Sequence, residues 1–324
     1  MTAAKAHRLD GLEPDNLLAF LALLGLLRAL EAADRTLHPR AAWDIDQPPL
    51  RPRLFLAQPA SPEDVTNIAA KGIEAIAAGH DFGDRKELNY ARAECRALLA
   101  QEAKISCFDK RDRVDLLAAL MNDAAIKDDK EESVDPTPLC LLFGQGHQHF
   151  LERLACVPRE PAPPPGGKRK GAIALSASEC LTEALFRPWR RDDPTPSFRW
   201  DPMEDVRYAL MAGDPTDGAY KAHTQHGANR LAAIGLAALT LAPERRAGRV
   251  RPAVIGGMSG VDGFSFAYPI WRDPVALTAI RTLLSHPDLR KPQALRHLGV
   301  DHVVVVQRIS VGKFMNFTRG RLLS

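Results

Sequence analysis

The residues best suited to chemistry lie within residues 185–208, a segment that we call the arginine–aromatic tract. Five arginines are interleaved there with five aromatic side chains in the order LFRPWRRDDPTPSFRWDPMEDVRY. Guanidinium groups bind phosphates through paired hydrogen bonds, and flat rings stack on nucleobases, so this mixture is typical of a nucleic-acid-binding surface. The residues predicted to bind are Arg187, Trp189, Arg190, Arg191 and Arg199.

Further cations could contact the phosphate backbone without reading its sequence. Three of them, Lys168, Arg169 and Lys170, follow a run of prolines and glycines. Two more, Arg319 and Arg321, lie near the C-terminus. These five residues complete the predicted nucleic-acid-binding surface.

The carboxylates of the tract allow two other interpretations. They could neutralise its arginines, which would make the tract an ordinary solvated face. Asp201, Glu204 and Asp205 could instead hold metal ions, as the carboxylates of two-metal nucleases do. However, Asp201-Pro202 is a typical helix N-cap followed by a first-turn proline, and we favour this structural role. The carboxylates in question are Asp192, Asp193, Asp201, Glu204 and Asp205.

No other motif predicts catalysis. His147 and His149 form a His-x-His pair, but on a helix their rings would diverge by about 200°. A third ligand at a recognisable spacing is missing from the sequence. Residues 256–260, GGMSG, fit neither a Walker loop nor a dinucleotide-binding fingerprint and indicate a turn between strands. The sequence therefore predicts no enzyme activity, no cofactor and no metal site.

Charge divides the chain into two unlike parts. Residues 1–157 hold 19 Lys and Arg against 25 Asp and Glu, a net charge of −6. Residues 158–324 hold 24 against 15, a net charge of +9, which makes this part the candidate face for a polyanion. Between them, residues 158–171 (PREPAPPPGGKRKG) cannot build regular structure and indicate a linker or loop. The predicted domains are an acidic, mainly helical 1–157 and a basic α+β 172–324.

Apolar side chains occupy nearly every side of a helix over residues 17–30, which indicates a buried helix central to the first domain. Ser61 before Pro62 predicts the start of another helix that ends near Ala78. Further helices are expected over 84–103, 112–126, 145–156, 176–186, 202–211, 227–241 and 274–284, and strands over 43–46, 54–56, 250–255, 264–270 and 303–310. The predicted class is α+β, with a mostly α N-terminal half and a mixed C-terminal half that contains a small antiparallel sheet.

Cysteine usage and hydropathy bear on the compartment. The five cysteines are widely spaced and include no Cys-x-x-Cys pair, which favours a reducing cytoplasm over a disulfide framework. The longest apolar run, over residues 17–27, is too short to span a bilayer. We therefore expect a cytoplasmic protein without a membrane partner.

Several stretches carry a family resemblance. Residues 9–12 (LDGL) precede a Leu- and Ala-rich helix over 16–28, and residues 199–202 (RWDP) are followed by Asp205, Arg207, Tyr208 and Ala209. Residues 266–271 (FAYPIW) precede another helix, and residues 308–317 end the pattern. Together these stretches resemble the large-subunit-like proteins of the surveillance complex, Cascade, in type I-G (formerly I-U) CRISPR systems.

The resemblance implies RNA-guided DNA targeting. In such complexes a guide RNA pairs with one target strand, while protein reads a short duplex motif and holds the displaced strand. It implies a non-enzymatic large subunit that contacts target DNA, the guide RNA and other effector subunits, and that helps to recruit the helicase-nuclease. Two alternatives remain: an accessory partner of the helicase-nuclease without direct DNA contact, and a small metal-dependent nuclease.

Overall fold

The computed structural model describes residues 6–106, 111–128, 132–142, 149–163, 175–193, 195–204, 224–246, 248–311 and 314–323. Its α-helices are α1 (Leu17–Ala33), α2 (Pro62–Ala77), α3 (Arg92–Ile105), α4 (Asp112–Leu120), α5 (Phe150–Cys156), α6 (Ala177–Phe186), α7 (His226–Gly235) and α8 (Leu277–Leu284). Its strands are β1 (His7–Arg8), β2 (Arg40–Trp43), β3 (Pro52–Phe55), β4 (Ile126–Asp128), β5 (Ser133–Val134), β6 (Leu241–Arg246), β7 (Arg249–Val254), β8 (Gly257–Gly260), β9 (Gly263–Trp271), β10 (Val300–Val311), β11 (Phe314–Phe317) and β12 (Arg321–Leu322).

The strands form small antiparallel sheets. The largest has the order β11-β10-β9-β8, and β12 also pairs with β10. A second sheet has the order β1-β3-β2, and β4–β5 and β6–β7 are separate hairpins. The expected α+β class is therefore confirmed, with the larger antiparallel sheet in the C-terminal half.

Helix α1 lies at the centre of the molecule, because 13 of its 17 residues are buried. It packs against α2 on one side and α7 on another. Its Phe20 ring stacks on the Tyr268 ring of β9, with ring centroids 4.3 Å apart. An apolar surface on all sides of a helix has to be covered by neighbours on all sides, so α1 gathers helices and sheet around itself.

Two glycines let α1 and α7 touch through their backbones. A Cβ atom at Gly25 would lie 1.8 Å from the carbonyl oxygen of Leu231. A Cβ atom at Gly235 would lie 2.2 Å from the carbonyl oxygen of Leu21. Since real Cβ atoms do not approach carbonyl oxygens so closely, this crossing requires glycine on both helices.

The two predicted domains share one hydrophobic core, since α1 lies in the acidic half and α7 in the basic half. The start of the predicted linker is attached to α7. The Arg230 guanidinium donates to the Pro158 carbonyl oxygen at 3.3 Å and to the Pro161 carbonyl oxygen at 3.0 Å. The rest of the linker, with Lys168, Arg169 and Lys170, lies outside the described residues. The division into domains stays a prediction.

Several element boundaries differ from those expected. Helix α4 ends at Leu120, not near residue 126, because the chain turns there into β4. The charged run over 125–135, in which no strand was expected, contributes β4 and β5 to a hairpin. Helix α8 begins at Leu277 after Ala276 and not at Pro274. In each case hydrogen bonds to a neighbouring segment decide the boundary more than local pattern does.

Among the described helices, none combines the length and apolar character that a bilayer crossing requires.

The glycine crossing yields a test. Gly25→Ala places a methyl group against the Leu231 carbonyl, so we expect the free energy of unfolding to fall by about 3 kcal/mol, although alanine favours helix. Urea denaturation measures this change. Gly79→Ala is the matched control, because its Cβ atom would meet its nearest neighbour at an ordinary 3.4 Å. Equal stability of the two variants would contradict the backbone contact.

Candidate nucleic-acid interface

The arginine–aromatic tract follows α6 and is described over residues 185–193 and 195–204. Arg187 and Arg190 are exposed at its start. Trp189 between them is half-buried, and its indole Nε1 donates to the Ala184 carbonyl oxygen at 2.8 Å. The Arg191 guanidinium lies over the Trp189 ring, 5.4 Å from its centroid. The Trp189 ring therefore already has a cationic neighbour and a backbone anchor.

Asp201 ties the tract to the start of α1. Its carboxylate is fully buried and accepts from Asn16 Nδ2 at 2.9 Å, from Arg191 Nε at 2.6 Å and from the Met203 backbone N–H at 3.0 Å. Asn16 is the N-cap of α1, so this negative charge lies at the positive end of the helix. The bond from Met203 closes a turn at residues 202–203, and the helix expected over 202–211 stays a prediction, because residues 205–211 lie outside the described residues.

The C-terminal segment joins the same junction through Arg319. Its guanidinium lies 2.7 Å from Asp15 and 3.5 Å from Glu13. The hydrogen bond to Asp15 raises the pKa of Arg319. Arg191 lies 3.9 Å from the same Glu13. Arg191 and Arg319 therefore serve the fold at the start of α1.

Arg199, Trp200 and Arg321 have different surroundings. Arg199 is only 8% exposed. Trp200 is fully buried, stacks on Phe198 at 4.5 Å between ring centroids and donates through Nε1 to the Leu139 carbonyl oxygen at 2.9 Å. Arg321 is exposed on β12. Of the predicted binding residues that the structure describes, Arg187, Arg190 and Arg321 present the most open cations.

Glu204 is held in a second buried network. Its carboxylate accepts from the Ser197 hydroxyl and, at 2.5 Å, from the Thr224 hydroxyl. Asn229 Nδ2 donates in turn to the Thr224 hydroxyl at 2.8 Å. Burial raises the pKa of Glu204 to about 7, the nearby charge of Asp201 raises it further, and the two hydroxyl bonds oppose the shift.

The carboxylates of the tract are engaged inside the protein. Besides Asp201 and Glu204, Asp193 accepts from the His226 backbone N–H at 2.8 Å. A metal ion at Asp201 or Glu204 would have to displace these donors. Within the described residues, no group of three or more His, Cys, Asp or Glu is placed to hold a metal. Asp205 lies outside the described residues.

The histidine pair is described only in part. His149 precedes α5, and its Nδ1 lies 3.0 Å from a Glu87 carboxylate oxygen. His147 lies outside the described residues. In the glycine-rich stretch over 256–260, expected as a turn between strands, only Gly256 lies in a turn, and residues 257–260 form β8, which pairs with β9.

One group of arginines was missed by the sequence analysis. Arg246, Arg249 and Arg251 on the β6–β7 hairpin line a groove with Arg308 of β10, and its volume is about 550 Å³. The signal was present in residues 244–251, ERRAGRVR, where four arginines surround a glycine. Without an aromatic residue between these arginines, the composition alone did not distinguish this hairpin from a solvated strand pair.

Burial of Glu204 yields a prediction about pH. A carboxyl group whose pKa is raised by folding stays protonated in the folded state while the unfolded chain has released its proton. Stability is therefore lost as the pH rises from the ordinary value of 4.5 to about 7. Glu204→Gln is neutral throughout, so we expect its stability relative to the wild type to increase between pH 5 and pH 8. Urea midpoints across this range measure the difference.

The control is Glu179→Gln in the capping box of α6. Hydrogen bonds from Ser176 lower the pKa of the exposed Glu179, so the stability that its charge supplies is already complete above pH 5. The difference between this variant and the wild type should stay constant from pH 5 to pH 8. A constant difference for Glu204→Gln as well would show that Glu204 is ionised throughout.

Comparisons with known proteins leave the interface to be interpreted from its own residues. No protein-family model matches the chain, and it has no significant match among curated proteins.

Proposed function

We propose that this chain is a non-enzymatic nucleic-acid-binding subunit of a type I CRISPR effector complex. In this role it contacts target DNA, the guide RNA and other effector subunits, and it helps to recruit the helicase-nuclease. The assignment to CRISPR comes from the resemblance of residues 9–28, 199–209, 266–271 and 308–317. The assignment to nucleic-acid binding comes from the arginines.

The observation that carries the nucleic-acid contact is the division of charge within the tract. Asp193, Asp201 and Glu204 face inward to protein donors. Arg187 and Arg190 face solvent. Among the described residues of the tract, the exposed charged side chains are therefore both arginines, although the tract sequence holds as many acids as arginines. Exposed guanidinium groups on a basic half attract the phosphates of a polyanion.

A non-enzymatic role is supported by the chemistry of the same carboxylates. Asp201 is paired with Arg191 and hydrogen-bonded to Asn16, and both hydroxyl donors of Glu204 are buried with it. A general base or metal ligand needs an oxygen that can reach substrate or solvent. Their oxygens stabilise the start of α1 and the packing of α7 instead.

The acidic half supplies a surface of opposite sign for protein neighbours. Its net charge of −6 repels nucleic acid and favours basic surfaces of other subunits. An accessory partner of the helicase-nuclease would use this surface and would need no nucleic-acid contact. Tagged chain recovered from its host separates the two roles, since a subunit of the surveillance complex retains a small guide RNA and an accessory partner does not.

Removing the outward charge should weaken binding. We expect Arg187→Gln with Arg190→Gln to weaken the affinity of the purified chain for a labelled oligonucleotide by about tenfold. The slope of log affinity against log salt should flatten by roughly one unit for each charge. The melting temperature should stay within about 2 °C, because both side chains are exposed. Fluorescence anisotropy from low to physiological salt measures the affinity.

Arg40→Gln with Arg296→Gln is the matched control, since both side chains are exposed and the same number of charges is removed. This variant should bind like the wild type. Equal loss of affinity in the two double variants would mean that net charge alone governs binding. Absence of any binding by the wild type would leave this chain as a protein-only adaptor.

A further inference from the structure

The groove beneath the β6–β7 hairpin has a strongly basic wall. Gly248 turns this hairpin in the left-handed region, at φ +81°. Across the two strands Arg246 lies opposite Arg249, and Glu244 lies opposite Arg251. Residues opposite each other in an antiparallel pair project from the same face, so these four side chains share one face of the hairpin.

Two arginines of the groove are held in place by the protein. Arg251 lies 3.3 Å from the Asp135 carboxylate. Arg308 donates to the Pro138 carbonyl oxygen at 3.0 Å, and its guanidinium lies 5.4 Å from the centroid of the Phe264 ring. Guanidinium groups that are already ordered lose less conformational entropy when a ligand binds.

Arg246 and Arg249 are placed differently. Both are exposed at the end of the hairpin, and no ion pair with a carboxylate is found for either within the described part of the chain. Like charges directly opposite each other in a β-ladder destabilise it. An anion bound between the two guanidinium groups removes this repulsion, so the hairpin tip is suited to a phosphate.

The groove also has an apolar wall. It consists of Val261, which is fully exposed at the β8–β9 turn, and the half-buried Met315, while the buried Phe264 ring lies beneath the Arg308 guanidinium. A sugar ring or the face of a base can contact such a wall, whereas a free inorganic anion gains nothing from it. The two walls together match a ligand with charge along one edge and apolar groups along the other.

The size of the groove selects among such ligands. Its volume of about 550 Å³ lies within the usual range for small-ligand sites, so it admits a short stretch of one strand. A double helix, whose major groove alone is about 12 Å wide, is too bulky for a cavity of this volume. A single strand can turn its phosphates to the hairpin and its sugars and bases to the apolar wall.

We infer that the groove between the β6–β7 and β8–β9 hairpins binds the phosphodiester backbone of a single nucleic-acid strand. This inference rests on the proposed nucleic-acid-binding function and assigns to it a site apart from the arginine–aromatic tract. Arg246 and Arg249 bind phosphate at the hairpin tip, Arg251 and Arg308 bind it deeper in the groove, and Asp135 orients Arg251.

The test uses the full chain and a double variant at the hairpin tip, Arg246→Gln with Arg249→Gln. Labelled single-stranded oligodeoxythymidylate, single-stranded oligouridylate and a DNA duplex are the probes. We expect the variant to lose about tenfold or more in affinity for one or both single strands, and the salt slope to flatten by roughly two units. The two single-stranded probes distinguish a DNA strand from an RNA strand. The melting temperature should be equal to or higher than that of the wild type, because a like-charge pair is removed.

Arg40→Gln with Arg296→Gln is again the matched control. Arg296 lies before β10, Arg308 lies near the end of β10, and Arg40 lies on β2, so the control removes equal charge away from the groove lining. The control should keep wild-type affinity and salt dependence. Equal losses in both variants would overturn the site.

The remaining outcomes separate this inference from the proposed function. If the wild-type chain binds no oligonucleotide, both the inference about the groove and the proposed nucleic-acid-binding function are contradicted. If the hairpin variant binds like the wild type while Arg187→Gln with Arg190→Gln loses affinity, the groove is not the binding site. The proposed nucleic-acid-binding function is then retained. Competition by polyglutamate at the same charge concentration as the oligonucleotide would identify an acidic peptide site instead. A duplex that loses as much affinity as the single strands would overturn the single-strand assignment.

Discussion

The complete burial of α1 is the constraint from which most of the structure follows. A helix with apolar side chains on every side loses favourable free energy wherever water reaches it, so its neighbours must surround it. Helices α2 and α7 and strand β9 do so from different parts of the chain. The close approach of Gly25 to the Leu231 carbonyl brings α1 and α7 into direct backbone contact. A chain built around one such helix has a single core, whatever its surface composition.

Burying α1 also buries its N-terminus, and that end determines the polar chemistry of the tract. The first N–H groups of a helix have no partner within the helix and must find one elsewhere. Asn16 accepts from the Ala19 N–H at 3.4 Å, and the Trp200 carbonyl oxygen accepts from the Leu18 N–H at 3.2 Å. Asp201 places its negative charge at the same end, where the helix dipole favours it. Once a carboxylate is buried there, Arg191 is needed to compensate it, which removes this arginine from the outer surface.

The features predicted well from sequence are those that local patterns specify. The all-apolar run predicted the buried α1, and the Ser61-Pro62 cap predicted α2, whose capping box is present. The strand expected over 264–270 lies within β9. The site was predicted less completely, because arginines next to each other in sequence have different environments in space. Arg190 and Arg191 are neighbours, yet one is exposed and the other reaches a carboxylate ten residues away. Arg308 of β10 lies beside three arginines of the separate β6–β7 hairpin only through tertiary packing, which no local pattern records.

The two basic regions, the arginine–aromatic tract and the groove at the β6–β7 hairpin, are held by the same segment of the chain. Residues 135–142, which follow β5, contact both regions. The carbonyl oxygens of two consecutive residues there accept hydrogen bonds, one from the groove and one from the tract. Pro138 accepts from Arg308 of the groove, and Leu139 accepts from the Trp200 indole of the tract. Each hydrogen bond holds a carbonyl group among buried residues. The position of that carbonyl is therefore determined by core packing and not by solvent. Arg308 and Trp200, which bind these internal acceptors, hold the geometry, and the exposed arginines of the two regions, such as Arg190 and Arg246, remain accessible to a ligand.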